Sequence, residues 1–246
     1  MREFKVIPVL DILKSEIVHA IRGERDKYKP LKSKLFNSSD PVEILKALRT
    51  KFQFNEFYIA DLDAILNKKP NLEILTQILK ISGINIIIDP GIVDSKDILQ
   101  YSKLEIKKLI IGLETIRSLD EVVNALELLG KEKLIVSIDM YKEKVLTRAK
   151  GLRNRSSLEI VRKIKTLGIN QIILLDLFRV GQKMGGIPPI YLEIQNIFDG
   201  NVYVGGGIKD YKDILSYIQH NFAGILIATA LYDGSIDIEK VRKIES

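Results

Sequence analysis

The sequence predicts an α/β fold, a (βα)8 TIM barrel built from two homologous half-barrels, on three observations. The first is internal repetition. Residues 9–25 (VLDILKSEIVHAIRGER) align with 137–153 (SIDMYKEKVLTRAKGLR), which pairs Asp11 with Asp139, Lys14 with Lys142, Gly23 with Gly151 and Arg25 with Arg153. Residues 58–62 then align with 173–177, 86–99 with 202–215, and 109–115 with 225–231, in the same order. Self-similarity over a long period marks a repeated structural unit. The second observation is eight short β-branched runs alternating with amphipathic stretches, the pattern of a parallel α/β fold. The third is that Asp11, Asp61, Asp89, Asp139 and Asp176 each close one of those runs. A doubly wound sheet would also alternate strands and helices, but it gives no reason for two equivalent four-unit halves.

The runs fall near 4–10, 57–62, 84–89, 108–112, 133–139, 171–176, 201–205 and 224–229. Their continuous apolar character suits strands buried on both faces, as parallel sheets require. Helical periodicity occupies 41–52, 72–81 and 158–167, among others. Ser39, Asp40 and Pro41 read as an N-cap followed by a first-turn proline, and Ser156 and Ser157 take the capping part in the second half. The segment 14–38 is rich in Lys and Arg and lacks a helical period, so it reads as a mobile loop over the barrel mouth that carries Arg22 or Arg25 towards substrate. A single barrel over 1–246 is expected, with halves at about 1–130 and 131–246.

Composition narrows the function classes. The absence of cysteine excludes disulfides, thiolate nucleophiles and Cys-based metal sites. The net charge of +6 comes from 38 basic residues mixed along the chain with 32 acidic ones. No basic stripe interleaved with aromatics appears, so no nucleic-acid partner is expected. No apolar run reaches the roughly 18 residues of a membrane span, and the first residues lack the form of a signal peptide. A cytoplasmic protein without membrane contact is the expectation. His19 and His220 are too far apart for a metal site on spacing grounds; His220 reads as a surface residue and His19 as a possible substrate contact in the first loop.

In barrels of this class, chemistry sits at the C-terminal ends of the strands. Aspartate is a poor strand residue and costly to bury. Asp11 and Asp139, equivalent under the repeat, are therefore the first candidates for catalysis, with Asp176 a further candidate contact. Gly205, Gly206 and Gly207 precede a helix start, and glycines there let backbone N–H groups approach an anion.

The motifs IPVLDILKSEIVHAIRG, SSDPVEILKAL, FYIADLDAI, IVSIDMYKEKV, YVGGGIKDYKDI and ILIATALYDG resemble the histidine-biosynthesis barrel family over nearly the whole chain. That family contains phosphoribosylformimino-AICAR-phosphate isomerase and the cyclase subunit of imidazole glycerol phosphate synthase. SSDPVE and ALYDG look more like the isomerase. The resemblance implies an Amadori rearrangement of an aminoaldose to an aminoketose, with Asp11 as general base and Asp139 as general acid, and no metal or organic cofactor. It implies a phosphorylated small-molecule substrate, with phosphate contacts at Gly205, Gly206, Gly207, Ala228 and Thr229 in the second half and at Gly91 and Gly112 in the first. Arg22 and Arg148, in the loops after strands one and five, are candidate ligand contacts. The chain departs from the isomerase pattern at Leu175, at Arg179-Val180-Gly181-Gln182, and in the first-half cradle, where Asp89-Pro90-Gly91 and Glu114 stand. The expectation is a divergent isomerase-like paralogue. A paralogue with a different, singly phosphorylated substrate (an isomerase or lyase) and a non-catalytic metabolite-binding barrel are the alternatives. No partner subunit is evident.

Overall fold

The computed structural model describes residues 3–242 and residue 244. Among these, eight parallel strands form the barrel: β1 (Lys5–Leu13), β2 (Glu56–Asp61), β3 (Asn85–Asp89), β4 (Lys108–Gly112), β5 (Leu134–Tyr141), β6 (Gln171–Asp176), β7 (Asn201–Gly205) and β8 (Gly224–Ile227). Each pairs with the next, and β8 pairs back onto β1 from Lys5↔Gly224 to Pro8↔Ile227, which closes the ring. The seam is tight: a Cβ on Gly224 would lie 2.4 Å from the Lys5 carbonyl oxygen, so only glycine fits there.

Strand side chains alternate between two cores. Inward-facing Ile7, Tyr58, Ile87, Ile110, Ile135, Ile173, Tyr203 and Leu226 fill the barrel as one cluster. Outward-facing residues such as Val6, Leu10, Ile12 and Ile59 meet the helix layer in a second cluster. That layer comprises α1 (Pro41–Phe52), α2 (Leu72–Leu79), α3 (Ser95–Tyr101), α4 (Asp120–Leu129), α5 (Ser157–Thr166), α6 (Pro189–Ile197), α7 (Tyr211–Gln219) and α8 (Ile238–Arg242). At the N-terminal end the barrel is plugged by polar groups: Glu56 accepts from Lys5 at 2.8 Å and from Lys107 at 2.6 Å, and Lys108 donates to Gln171.

The expected caps form. Asp40 accepts from the Glu43 N–H ahead of Pro41, and Ser156 closes a capping box with Glu159. Residues paired by the repeat also share backbone geometry. Lys14 and Ser15 have φ of 51° and 66°, and Lys142 and Glu143 have 50° and 66°. Both pairs turn the chain back on its own strand: Glu16–His19 pairs with the end of β1, and Lys144–Val145 with the end of β5. The segment 14–38 is accordingly more structured than its composition indicates. Ile17 and Val18 are buried, Val18 and His19 pair with Pro30 and Lys29, and the Arg22 N–H donates to the Val180 carbonyl. A hairpin of this size carries no helical period, which is why it reads as loop in the sequence.

Asp61 and Asp176 face outward at the ends of β2 and β6, and both cap the segment that follows. Asp61 accepts from the Ala64 N–H at 3.1 Å, the Asn71 N–H at 2.7 Å and the Asn71 side-chain amide at 2.8 Å. Removing a buried carboxylate with three donors costs more than removing one exposed cap. Asp61→Ala should lower the unfolding free energy by about 3 kcal/mol and Asp40→Ala by about 1 kcal/mol in urea titrations. Equal losses would contradict this role for Asp61.

Candidate active site

The strand alternation that builds the barrel core also decides which aspartates reach its mouth. Asp11 is in phase with the inward residues Ile7 and Val9, Asp89 with Ile87, and Asp139 with Ile135 and Ser137. All three line one pocket at the C-terminal ends of the strands. Strands β1 and β5 lie across the ring from each other, so Asp11 and Asp139 approach the pocket from opposite sides.

Each carboxyl group is held differently. Asp139 is buried, and its Oδ1 accepts from the Ser137 hydroxyl at 2.7 Å. Asp89 accepts from the Gly91 N–H at 3.0 Å and from the Tyr58 hydroxyl at 3.3 Å. Asp11 opens onto the pocket without a side-chain partner among the described residues. A fourth carboxylate, Glu114, follows β4 and is bound by Arg25 Nη2 at 2.5 Å. Arg25 extends from the segment after β1 and is the guanidinium that lines the pocket.

Burial in this poorly hydrated mouth disfavours charge on all three aspartates. It raises Asp11 from an ordinary 3.8 to about 7, with Arg25 opposing and Asp89 adding to the rise. Asp89 rises to about 6, again mainly by burial, held back by the Gly91 N–H. Asp139 rises as well, through burial and then the negative charges of Glu114 and Asp89, with the Ser137 hydroxyl opposing. The mouth can therefore hold one carboxyl protonated beside another that is ionised near neutral pH.

The other end of the pocket is built by the second half. Gly206 and Gly207 have φ of 83° and 87°, and with Gly205, Ala228 and Thr229 they line the wall. The Arg179 guanidinium packs against Gly207, where its Nε would be 3.0 Å from an added Cβ. Lys183 also lines this end and is ion-paired with Asp233. His19 Nε2 lies 3.1 Å from the Thr229 hydroxyl.

The structure gathers some of the sequence candidates and not others. Asp11, Asp139, Gly205, Gly206, Gly207, Ala228 and Thr229 converge on the pocket. Asp176 does not line it, because it lies one residue out of phase and caps the next turn, accepting from the Phe178 and Lys142 N–H groups. Arg22 is exposed with its guanidinium 5.7 Å from the Phe178 ring centre, and Arg148 is exposed outside the pocket. Gly91 and Gly112 are also absent from the lining; the Gly91 N–H is occupied by Asp89 and its carbonyl by Lys68. Tyr58, Tyr28 and Lys183 line the pocket and escaped the sequence reading. Only for Tyr58 was a signal present, since it lies in the inward phase of β2.

Residues 5–237 match the histidine biosynthesis protein family. The chain is 31% identical over 239 residues to an uncharacterized protein of Methanocaldococcus jannaschii, covering 96% of this chain and 97% of that one. It is 27% identical over 241 residues to a 1-(5-phosphoribosyl)-5-((5-phosphoribosylamino)methylideneamino)imidazole-4-carboxamide isomerase of Lactococcus lactis, covering 96% and 97% of the two chains. The isomerase of that name from Caldicellulosiruptor bescii is 27% identical over 240 residues, covering 96% and 98%. A closed (βα)8 barrel with a two-sided pocket at the C-terminal ends of its strands is the class of protein these observations define. The chain belongs to the histidine biosynthesis protein family and is an isomerase-like barrel within it. No helix among the described residues is long and apolar enough to cross a membrane.

The raised carboxyls link stability to pH. A group whose folded pKa exceeds its unfolded value binds its proton more tightly in the folded state. Its contribution is complete below about pH 3.8 and is lost as pH rises through about 8 for Asp139. Asp139→Asn, which keeps the Ser137 contact but cannot ionise, should therefore stabilise the fold at pH 9. The gain should vanish towards pH 4 in denaturant titrations. A gain independent of pH would contradict the burial of this charge.

Proposed function

We propose that this chain catalyses an Amadori-type aldose–ketose isomerisation of a phosphorylated sugar-like metabolite, with Asp11 and Asp139 as its proton-transfer pair. The observation that carries this reading is the convergence of the two repeat-equivalent aspartates on one pocket from opposite sides, both with raised proton affinities. Asp139 serves as general acid, as the family resemblance implies, and protonates the sugar ring oxygen, opening the ring to an imine. Asp11 serves as general base and removes the C2 proton, and tautomerisation then gives the ketose. The relatives named as isomerases carry two phosphoribosyl groups in their substrate's name, which supports a phosphorylated substrate here.

The substrate is held by one phosphate, in the second-half cradle. Gly206 and Gly207 expose backbone there, Thr229 offers a hydroxyl, and Lys183, ion-paired with Asp233, lines the same end. The first-half counterparts favour no anion. Pro90 has no N–H, Asp89 and Glu114 bring negative charge, and buried Leu113 stands where Thr229 stands in the second half. Like charges about 4 Å apart repel by roughly 4 kcal/mol at an effective dielectric near 20, and a phosphate dianion beside Asp89 doubles this. The cytoplasm is the compartment in which such a metabolic enzyme is expected to work.

On the true substrate, Asp11→Asn and Asp139→Asn should each lower turnover by about 10²–10⁴-fold. The pH profile of kcat/KM should be bell-shaped, with both limbs well above the ordinary carboxylate range. The assay should set the doubly phosphorylated aminoaldose of histidine biosynthesis beside singly phosphorylated aminoaldoses. Turnover of the former would refute the one-phosphate substrate, and variants within threefold of the unaltered enzyme would refute the acid–base pair.

A further inference from the structure

The segment after β1 is fastened on two sides of the mouth. Towards β6, the Arg22 N–H donates to the Val180 carbonyl at 3.0 Å, and Gly181 comes so close that an added Cβ would lie 2.6 Å from the Ala20 carbonyl oxygen. Towards β4, Arg25 Nη2 donates to Glu114 Oε1 at 2.5 Å, and both side chains are largely buried. Strands β4 and β6 flank β5, so the two fastenings stand on either side of the strand that carries Asp139. Glu114 sits on a turn that is itself held. The Leu113 N–H donates to the Ser137 carbonyl at 3.1 Å, and the Thr115 hydroxyl to the Ile92 carbonyl at 2.7 Å. A carboxylate on a fixed turn fixes the guanidinium it binds.

Asp11 lines the pocket and a second, adjoining cavity. The basic groups of the two are Arg25, Lys183, Lys32 and His19. Lys183 is ion-paired with Asp233, while His19 is lowered by burial and lies against Thr229. The other acidic groups are Asp89, Glu114 and Asp139, and burial raises the phenols of Tyr28, Tyr58 and Tyr232, which stay neutral. Burial dominates the proton affinities of Asp11, Asp89 and Asp139, and Arg25 is the cation that opposes it in each. We propose that Glu114 is a positioning residue, whose carboxylate pins the Arg25 guanidinium across the mouth and so keeps a fixed positive charge in the pocket onto which Asp11 opens. With Arg25 in place Asp11 can ionise near neutral pH and accept a proton; with Arg25 displaced it keeps its own. The catalytic meaning rests on the base role given to Asp11 above, but the charge relation can be tested without substrate.

Carbon-13 NMR titration of the aspartate carboxyls in the intact chain tests this, with the Asp11 signal assigned by its loss in Asp11→Asn. Arg25→Gln should raise the Asp11 midpoint by about one pH unit, as loss of a close opposite charge does. Arg25→Lys, which keeps the charge, should raise it less. Glu114→Gln separates a positioning role from a direct one by the sign of its effect. Removing a mere negative charge would lower the Asp11 midpoint, whereas releasing Arg25 should raise it, as Arg25→Gln does. The double variant should not exceed Arg25→Gln, because the two residues act through one interaction. A midpoint that falls or stays in Glu114→Gln would overturn the inference. So would a rise from Glu114→Gln that persists without Arg25, or equal shifts from Arg25→Lys and Arg25→Gln. In turnover assays the acidic limb of kcat/KM should follow the Asp11 midpoint. A limb that stays while the midpoint moves would overturn the base role of Asp11 and leave the placement of Arg25 standing.

Discussion

The phase of side chains in a closed parallel barrel is the constraint on which the rest depends. Once β8 is bonded to β1, every strand must direct alternate residues inward. Inward positions near the C-terminal end of each strand then meet one another at the mouth. Asp11, Asp89 and Asp139 occupy such positions, whereas Asp61 and Asp176 miss them by one residue and become caps. A single step of register separates a candidate proton carrier from a structural cap.

The apolar layer beneath the mouth sets the chemistry of what stands on it. Tyr58, Ile87, Ile135 and Ile173 exclude water under the aspartates, and exclusion of water is the largest cause of their raised proton affinities. The opposite end of the barrel treats charge differently. Glu56 is also buried, yet Lys5 and Lys107 donate to it and hold its carboxyl below the usual range despite burial. Charge is neutralised where the barrel needs stability and left unbalanced where the pocket opens. That imbalance costs folding free energy, a common property of functional sites.

Much of this was legible in the sequence because it follows from period and repetition. The eight strands, the caps at Asp40 and Ser156, and the prominence of Asp11 and Asp139 come from apolar runs, helix-start chemistry and pairing under the repeat. The hairpin after β1 was not legible, since its short strands are held by pairing with β1 and by contacts to Val180 and Tyr232, which are distant in sequence. For the same reason Arg25 could not be separated from Arg22. Both lie in one basic segment, and only tertiary placement turns Arg25 to Glu114 and Arg22 onto Phe178. Asp176 looked equivalent to the other strand-end aspartates because a one-residue difference in phase is smaller than the uncertainty of a strand boundary read from sequence. Lys183 and Tyr28 reach the pocket from loops, where no periodicity points to them.

We propose that the two ends of the pocket are chemically unlike, one made for an anion and the other against it. Crystals soaked in phosphate test it most directly. Anion density should appear at Gly206, Gly207 and Thr229, with none at Pro90 and Gly91. Comparable density at both ends would contradict the claim and return the pocket to a symmetric, two-phosphate site.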